Sequence, residues 1–418
     1  MASQPVSGKR GLLGWMNTDG KMLLITKFFR TLAFGYLSTA VPYYFGKDVL
    51  NFSDFLTGVI AAVALVGGVV LTIAASLIAN RVSRRTSLGL FAFLMLISGV
   101  LLTASTDLIV ILIAFFIGSI GVNATETGPF ISIEQAIMPQ TTTDDKRTHA
   151  FSIFNLLGYA GAAFGALLAP LPEVAHDYLS FTLINGYRIL FVFFALTGFL
   201  LIIAYRSLSK RAEVEIARIN RFGLDKSTRT VAKLSALFSI DAFGGGFVIS
   251  LIISLWFKQR YNTPVSAVGA IVFVTQIVTA ASFLAAGPLA RRIGLLNTMV
   301  FTHIPSNILL IAVGLAPTFE TSVAFLLLRQ TLSQMDVPTR QSYMTAIIPS
   351  EERNAASSIT NVSRSIAAAP PPSISGYLIQ SAQWAAPFLL GGVFKTAYDI
   401  SIYLSFRNVK PPEEENKE

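Results

Sequence analysis

The side chains best suited to chemistry in this sequence are charged residues inside long apolar stretches. The acids there are Glu126, Glu134, Asp241, Asp336 and Asp399, and the bases are Lys27, Arg30, Arg329, Arg340, Arg364 and Lys395. Inserting a charged residue at the centre of a membrane span costs about 2.5–3.5 kcal/mol, so each of these residues is a candidate functional residue. The near balance of the two signs predicts that they pair with one another inside a bundle.

Two of the apolar stretches present polar residues at helical spacing. The stretch 320–347 has steps of four, three and four residues, and the stretch 108–138 has steps of three, four and four. Residues so spaced share one face of a continuous helix. The two predicted polar stripes are Arg329, Ser333, Asp336 and Arg340, and Asn123, Glu126, Phe130 and Glu134.

These charges suggest ion pairs that are broken by protonation. We predict that Glu126, Asp241 and Asp336 gain and lose protons, since a carboxylate beside an arginine can switch its partner when it is protonated. Arginine does not deprotonate, so the arginines serve as counter-ions or as anchors for an anionic solute. The predicted residues of the solute cavity are Arg30, Asn123, Gln276, Arg340 and Arg364.

A structural role is the alternative for every one of these residues. Ion pairs can hold two helices together or latch one end of a cavity, and for Glu134 and Arg340 this interpretation is as well supported as solute contact. Lys395 and Asp399 are four residues apart, which predicts that they neutralise each other on one helix. For His303, which lies beside Pro305 in an apolar stretch, a hydrogen-bonded structural role is favoured over proton transfer.

The composition of the chain indicates whether these charges belong to a water-soluble protein or to a membrane protein. The chain has 418 residues, of which 53% are hydrophobic and 13% charged, and it contains no cysteine. Soluble globular proteins carry about 25% charged residues, so a water-soluble enzyme is excluded, as are disordered and collagenous chains. The lack of cysteine excludes thiol catalysis and cysteine-bound metal clusters.

Apolar stretches long enough to cross a bilayer occur along the whole chain. A transmembrane helix needs about 20 apolar residues, and twelve stretches meet that length. The sequence therefore predicts an all-α membrane protein with twelve transmembrane helices. The predicted spans are 22–44, 55–79, 87–105, 108–138, 148–170, 186–205, 232–257, 264–289, 295–316, 320–347, 354–380 and 384–406.

The net charge of +9 could indicate nucleic-acid binding, but the basic residues follow the membrane topology instead. Of the 32 basic residues, 22 fall in loops on the side of the N-terminus, 4 on the opposite side and 6 inside the spans. The positive-inside rule then predicts that both termini are cytoplasmic. We expect a multi-pass protein of the plasma membrane that is monomeric and does not bind nucleic acid.

The two halves of the chain repeat each other. Arg, Ala, Ser, Ile and Asn recur at an offset of 206 residues between Arg147–Asn155 and Arg353–Asn361. Such a repeat is typical of secondary transporters that bind their solute between duplicated halves. The predicted domains are an N-terminal six-helix bundle, 1–205, a central cytoplasmic loop, 206–231, and a C-terminal six-helix bundle, 232–418. The polar segment 206–233 is interpreted as an amphipathic helix on the inner leaflet or as a solvated linker.

The loop between spans two and three carries a family resemblance. Ser76-Leu-Ile-Ala-Asn80-Arg81-Val-Ser83-Arg84-Arg85 resembles the pattern Gly-x-x-x-Asp-Arg-x-Gly-Arg-Arg of the major facilitator superfamily, with Asn80 in place of the acid. The equivalent loop, Gly287–Gly294, keeps both glycines and also lacks the acid. The resemblance implies the major facilitator fold of two pseudo-symmetric bundles. Candidate gating residues in the two loops are Arg81, Arg84, Arg85, Arg291 and Arg292.

The resemblance also implies which spans surround the solute. In that superfamily spans one, four, seven and ten line the central cavity, and this chain has charges in all four. Drug–proton antiport loses support, because Ala114 stands four residues before Gly118, where drug antiporters of the superfamily have arginine.

A secondary transporter is the functional hypothesis that the sequence favours. No ATP-binding motif, catalytic triad or metal-ligand cluster is present in the sequence, so we predict neither an enzyme nor a cofactor. The chain is predicted to move a small solute by alternating access, with proton-coupled export or antiport as the working hypothesis. The alternatives are a uniporter, an organic-anion transporter, or a transporter-like sensor that binds a ligand without moving it.

Overall fold

The structure, a computed structural model, describes residues 13–78, 82–118, 120–123, 128–143, 146–209, 212–213, 224, 226–349 and 352–409. These described residues are helical and contain no strand. They form two compact units, the first from Met1–Ala40 and Gly67–Ala217 and the second from Val41–Val66 and Arg218–Glu418.

The described residues of the N-terminal half contain eight α-helices. A 3₁₀ turn, Met138–Thr141, follows the fifth. The helices are α1 (Thr18–Tyr44), α2 (Asp54–Ile78), α3 (Arg84–Ala104), α4 (Leu108–Ile117), α5 (Pro129–Ile137), α6 (Arg147–Leu167), α7 (Leu171–Leu179) and α8 (Leu183–Arg206).

Nine helices follow in the part of the C-terminal half that the structure describes. They are α9 (Thr228–Gly246), α10 (Ser250–Tyr261), α11 (Val265–Ile293), α12 (Leu295–Leu315), α13 (Phe319–Gln330), α14 (Asp336–Ile347), α15 (Arg353–Ala368), α16 (Pro371–Gln380) and α17 (Ala386–Phe406).

Seven helical segments of the described chain are long and apolar enough to cross a membrane. The other predicted spans either carry charged side chains, as α1 and α17 do, or are divided into two shorter helices. The all-helical membrane fold is therefore confirmed, and the count of twelve spans stays a prediction.

Proline and glycine divide the interrupted spans. Span four ends its first helix at Ile117 and resumes at Pro129, preceded by Gly128 at a φ of 134° that favours glycine. Span eleven breaks between Ala368 and Pro371, as its three consecutive prolines predict. The interruptions place loop backbone, and the polar residues beside it, within two of the spans that carry charge.

Small residues let the helices of each unit pack with their backbones in contact. In the first unit a Cβ at Gly99 of α3 would lie 2.6 Å from the backbone nitrogen of Ala195 in α8. A Cβ at Gly161 or Gly165 of α6 would overlap backbone atoms of α1. Close helix packing therefore explains the glycines of α6, in agreement with the small-residue interfaces of membrane helices.

The core of the second unit forms where four helices meet. Buried apolar side chains come together from α9, α12, α14 and α17, including Phe238, Met299, Tyr343 and Tyr398. This core holds α9 and α14 in place, and both helices carry charged residues.

Residues Val41–Val66, which the sequence assigns to the N-terminal bundle, are grouped with the second unit. The Lys258 ammonium donates to the carbonyl of Pro42 at 3.0 Å, and the Gln259 amide donates to Asp54 at 2.6 Å. A Cβ at Gly58 or Gly376 would overlap the facing backbone of Pro372 or Asp54, so α2 and α16 are in backbone contact.

Candidate functional site

A charged cluster in the second unit is the candidate functional site. Its first residue is Asp241 on α9, only five residues before the helix ends at Gly246. A Cβ at Gly246 would lie 2.6 Å from the carbonyl of Ala368, and one at Gly244 would lie 3.0 Å from that of Gly391. These glycines bring α9 against α15 and α17, which carry two of the three cations that Asp241 binds.

Three cations from three different helices bind Asp241. Lys395 Nζ of α17 lies 2.7 Å from Asp241 Oδ1, while Arg364 Nη1 of α15 and Arg340 Nη1 of α14 lie 3.0 and 3.1 Å from Oδ2. The sequence-based predictions for Asp241, Arg340 and Arg364 thus converge on one carboxylate. A buried carboxylate with this many cationic partners is a strong anchor for them.

Arg340 is shared between two carboxylates. Its Nη1 also lies 3.0 Å from Asp336 Oδ2, one helical turn earlier in α14. Among the described residues, Arg340 is the only partner within ion-pair distance of Asp336. Loss of charge on Asp336 therefore changes the environment of one arginine, which Asp241 still holds.

Arg329 lies close to the cluster in sequence but pairs with no carboxylate in the described part of the chain. Its side chain is 7% exposed, Nη1 donates to Gln330 Oε1 at 3.2 Å, and Nε has no partner. Ser333 donates to the same Gln330 oxygen at 2.6 Å. The predicted stripe of span ten is interrupted, because α13 ends at Gln330 and α14 begins at Asp336.

The predicted pairing of Lys395 with Asp399 is wrong. Lys395 donates to Asp241, and Asp399 instead accepts from His303 Nδ1 at 2.9 Å and from Asn307 Nδ2 at 2.8 Å. Asp399 is fully buried, so contacts between α12 and α17 provide its partners. His303 is hydrogen-bonded to a carboxylate, as the structural interpretation of that histidine predicts.

A second buried ion pair occurs in the first unit. Arg30 of α1 and Glu134 of α5 are both 0% exposed, with Arg30 Nη2 2.5 Å from Glu134 Oε2. The guanidinium also lies 4.5 Å above the ring of Phe130. This geometry favours a structural role for Arg30 over contact with a solute.

Tyr205 completes that pair, although the sequence analysis did not single it out. Its hydroxyl donates to Glu134 Oε1 at 2.7 Å and also contacts Arg30 Nη1. In the sequence, Tyr205 is a tyrosine near the end of an otherwise apolar span. Such tyrosines are too common for the sequence to identify this one as a partner of Glu134.

The remaining predicted cavity residues lie apart from the charged cluster or outside the described residues. Glu126 is outside them, and Asn123 lies in the turn after α4 rather than on a helix shared with Glu134. The predicted stripe of span four is therefore not one continuous helical face. Gln276 of α11 lines a small cavity of about 30 Å³ together with Ser250, Thr275 and Gln330.

The candidate gating residues occupy helix ends. The backbone amides of Arg84 and Arg85 donate to the Glu213 carboxylate at 2.8 and 3.0 Å, and Arg85 Nη2 donates to the carbonyl of Arg206 at 2.7 Å. Arg291 and Arg292 are exposed in the last turn of α11. Arg81 lies outside the described residues, as does nearly half of the central segment 206–233 that is predicted to be amphipathic.

The described residues contain no group of three or more side chains that could hold a metal ion. The chemistry available in the cluster is therefore the exchange of ion-pair and hydrogen-bond partners among aspartates, arginines and a lysine.

Known proteins resemble this chain in sequence and in fold. The profile of the Major Facilitator Superfamily matches residues 23–369 and also 234–418. An uncharacterized membrane protein of Saccharomyces cerevisiae is 24% identical over 425 residues, covering 94% of each protein.

Solved transporter structures match nearly the whole chain. The nucleoside transporter NupG matches with a TM-score of 0.70 at 15% identity, covering 94% of this chain and 100% of that one. A bacterial homolog of the human lysosomal transporter Spinster gives 0.71 at 16% identity, covering 93% and 96%. The xylose transporter XylE from E. coli gives 0.70 at 14% identity, covering 92% and 95%. At these identities the likeness establishes the fold alone.

Proposed function

Because the chain belongs to the Major Facilitator Superfamily, whose members carry solutes across membranes, we propose that it is a proton-coupled secondary transporter. It moves a small solute by alternating access. We further propose that it is a monomer in the plasma membrane with both termini in the cytoplasm, since the basic residues cluster on that side.

The observation that supports proton coupling is the arginine shared by Asp336 and Asp241. Arg340 Nη1 lies 3.0 Å from one carboxylate and 3.1 Å from the other. When Asp336 takes up a proton, it loses its ionic attraction for Arg340, whereas Asp241 retains its charge. Arg340 can then bind a solute in place of Asp336, or its side chain can move to a new conformation.

Asp336 suits proton uptake better than Asp241 does. Asp241 is held by three cations, and protonating it would leave all three without their common counter-ion. Asp336 has one ion-pair partner, so its protonation disturbs the cluster least. We therefore assign the coupling role to Asp336 and an anchoring role to Asp241, with Glu126 as a further candidate for coupling.

The mode of coupling follows from the charge of the solute. A cationic solute competes with protons for the carboxylates, which gives export or antiport as the sequence suggests. An anionic solute competes with the carboxylates for the arginines, so that proton and solute bind together.

Flux measurements with purified protein in proteoliposomes test the proposal. An imposed pH gradient should drive solute flux, and solute flux should change the internal pH. Asp336→Asn should abolish the pH-driven component while passive exchange of the solute continues. The matched control is Asp48→Asn, which removes an exposed acid outside the cluster and should leave coupling intact.

Two results would overturn the proposal. Unchanged pH-driven flux in Asp336→Asn would remove Asp336 from the coupling mechanism. Solute binding without flux under any gradient would favour the sensor interpretation.

A further inference from the structure

The charged cluster contains more positive than negative charge. To this cluster the described helices α9, α13, α14, α15 and α17 contribute two carboxylates that bind or face its cations, Asp241 and Asp336, and four cations. The cations are Arg329, Arg340, Arg364 and Lys395. Counting Asp399, which is bound to His303 and Asn307, still leaves one positive charge in excess. Buried charge of one sign is unfavourable without a compensating ion.

Arg329 carries the part of this charge that is least compensated. It is 93% buried, and its guanidinium makes one hydrogen bond, to the neutral amide oxygen of Gln330. Its Nε has no partner, and no described carboxylate pairs with it. A buried guanidinium normally pairs with an acid, because unpaired burial costs several kcal/mol. Arg329 therefore has hydrogen-bonding capacity directed at an oxyanion.

The cations of the cluster are more accessible than its carboxylates. The side chains of Arg364, Arg340 and Lys395 are 25%, 11% and 10% exposed, whereas Asp241 is 4% exposed. Asp336 is likewise 4% exposed. A solute that reaches this cluster in the second unit thus finds more of the cationic side chains accessible than of the carboxylates.

We infer that the transported solute carries an oxyanion, a carboxylate or phosphate group, that binds Arg364 and Arg329 of the second unit. The inference rests on the proposed transport function and adds the chemical class of the solute. Arginine suits this role because its planar fork donates two parallel hydrogen bonds to carboxylate or phosphate oxygens.

The inference also determines the sign of proton coupling. The solute oxyanion and the Asp336 carboxylate carry like charge beside the same group of cations, so protonation of Asp336 strengthens solute binding, and proton and solute travel together. This coupling differs from the antiport that the sequence suggests. Among the described residues, the charged and titratable groups that face the two aspartates are Arg329 of α13, Arg340 of α14, Arg364 of α15, His303 of α12, and Lys395, Tyr398 and Asp399 of α17.

Binding to the purified full-length protein provides the first test. The probes are inorganic phosphate and three molecules of matched size, namely benzoate, benzamide and benzylammonium. A ligand that binds only the folded state raises Tm. Benzoate or phosphate should raise Tm, by more at pH 5.5 than at pH 7.5, and benzamide and benzylammonium should not. A larger shift with benzylammonium than with either anion, or no shift with either anion, overturns the inference.

Variants separate direct binding from a structural effect. Arg364→Gln and Arg329→Gln should each weaken anion binding about 10- to 100-fold, the range for losing a hydrogen bond to a charged group. Arg329→Lys retains the charge and should recover part of the affinity if Arg329→Gln folds poorly. The control, Arg407→Gln, removes an exposed cation at the end of α17 and should leave binding unchanged. Equal weakening in Arg407→Gln would overturn the inference.

Asp336→Asn tests the inference through the pH dependence of anion affinity, which a purely structural role of Asp336 would not change. Without the Asp336 charge, the affinity for the anion at pH 7.5 should rise to the wild-type value at pH 5.5, and its pH dependence should disappear. Retained pH dependence overturns the inferred repulsion between the solute oxyanion and the Asp336 carboxylate.

Flux distinguishes failure of the inference from failure of the proposed function. Benzoate or phosphate uptake driven by an acidic exterior supports both. If a pH gradient drives only benzylammonium or benzamide, proton-coupled transport stands and the anion inference fails. If anions bind and exchange but no pH gradient drives them, the anion inference stands and proton coupling fails.

Discussion

Glu134 and Arg340 each form an ion pair with the first helix of their own half of the chain, but they carry opposite charges. Glu134 of α5 binds Arg30 of α1, and Arg340 of α14 binds Asp241 of α9. Each half thus joins its first helix to the second part of its divided fourth span by an ion pair of reversed polarity.

The two pairs differ in how completely they are enclosed. In the first unit both members are fully buried, and Tyr205 and Thr26 donate further hydrogen bonds to Glu134. In the second unit Arg340 is partly exposed and divides its bonds between two acids. The enclosed pair suits a fixed structural contact, and the shared pair suits exchange of partners.

The first prediction concerns the stability of the enclosed pair. Glu134→Gln should lower the free energy of unfolding by about 3–5 kcal/mol, because it leaves the Arg30 charge buried without a counter-ion. Thermal unfolding of the purified protein in detergent measures the loss. Replacing both residues, Arg30→Met with Glu134→Leu, should recover much of it, since no charge then remains buried.

Glu320→Gln is the matched control, because Glu320 is exposed in the first turn of α13. Its Tm should be close to that of wild type. A double variant as unstable as Glu134→Gln alone would show that the pair does more than neutralise charge.

The second prediction concerns the partner of Lys395. A double-mutant cycle between Lys395→Met and Asp241→Asn should give a coupling energy of about 0.5–3 kcal/mol, the range for residues in contact. The matched cycle between Lys395→Met and Asp399→Asn should give a smaller value, because Asp399 binds His303 and Asn307 instead. Unfolding of the four variants of each cycle measures both terms, and equal couplings would contradict the observed pairing.

The sequence was sufficient to predict the class of fold and the principle of buried ion pairing, because both depend on composition and on the cost of charge in a membrane. It did not determine which residues pair. A spacing of four residues on one helix favours Lys395 with Asp399, yet α9 brings Asp241 within 2.7 Å of Lys395. Contacts between helices depend on packing, which helical spacing within one segment does not encode.

The predicted polar stripes failed for a local reason. They assume a continuous helix, but Gly128 and Pro129 restart span four, and residues 331–335 separate α13 from α14 in span ten. Pro129 and Pro338 stand in these two spans, but a proline near the start of a helix does not by itself show that a span is interrupted. Three consecutive prolines, residues 370–372, are a stronger signal, and span eleven does break between Ala368 and Pro371.

The third prediction concerns the backbone contact between α1 and α6. A Cβ at Gly165 would overlap the carbonyl of Leu32, so Gly165→Ala should destabilise the protein by about 1–3 kcal/mol, as overpacking does. Gly68→Ala is the control, because no atom lies within 4 Å of a Cβ there and alanine favours the helix of α2. Tm should fall in the first variant and stay level or rise in the second; a fall in both would point to a general effect of losing glycine.

The fourth prediction concerns the start of α9, which carries Asp241. The buried Glu352 carboxylate accepts hydrogen bonds from the backbone amides of Lys226 and Ser227 at 2.8 and 3.0 Å, and also from the Ser227 hydroxyl. A carboxylate at a helix N-terminus satisfies free amides and interacts favourably with the helix dipole, which together stabilise by about 1–2 kcal/mol.

Glu352→Ala should therefore lower Tm, and Glu352→Gln should lower it less, because the amide oxygen still accepts one of these bonds. Asp48→Ala, which removes an exposed acid, should leave Tm unchanged. Since α9 positions Asp241, Glu352→Ala should also weaken solute flux. If flux and Tm in Glu352→Ala equal those in Asp48→Ala, the Glu352 carboxylate does not anchor α9.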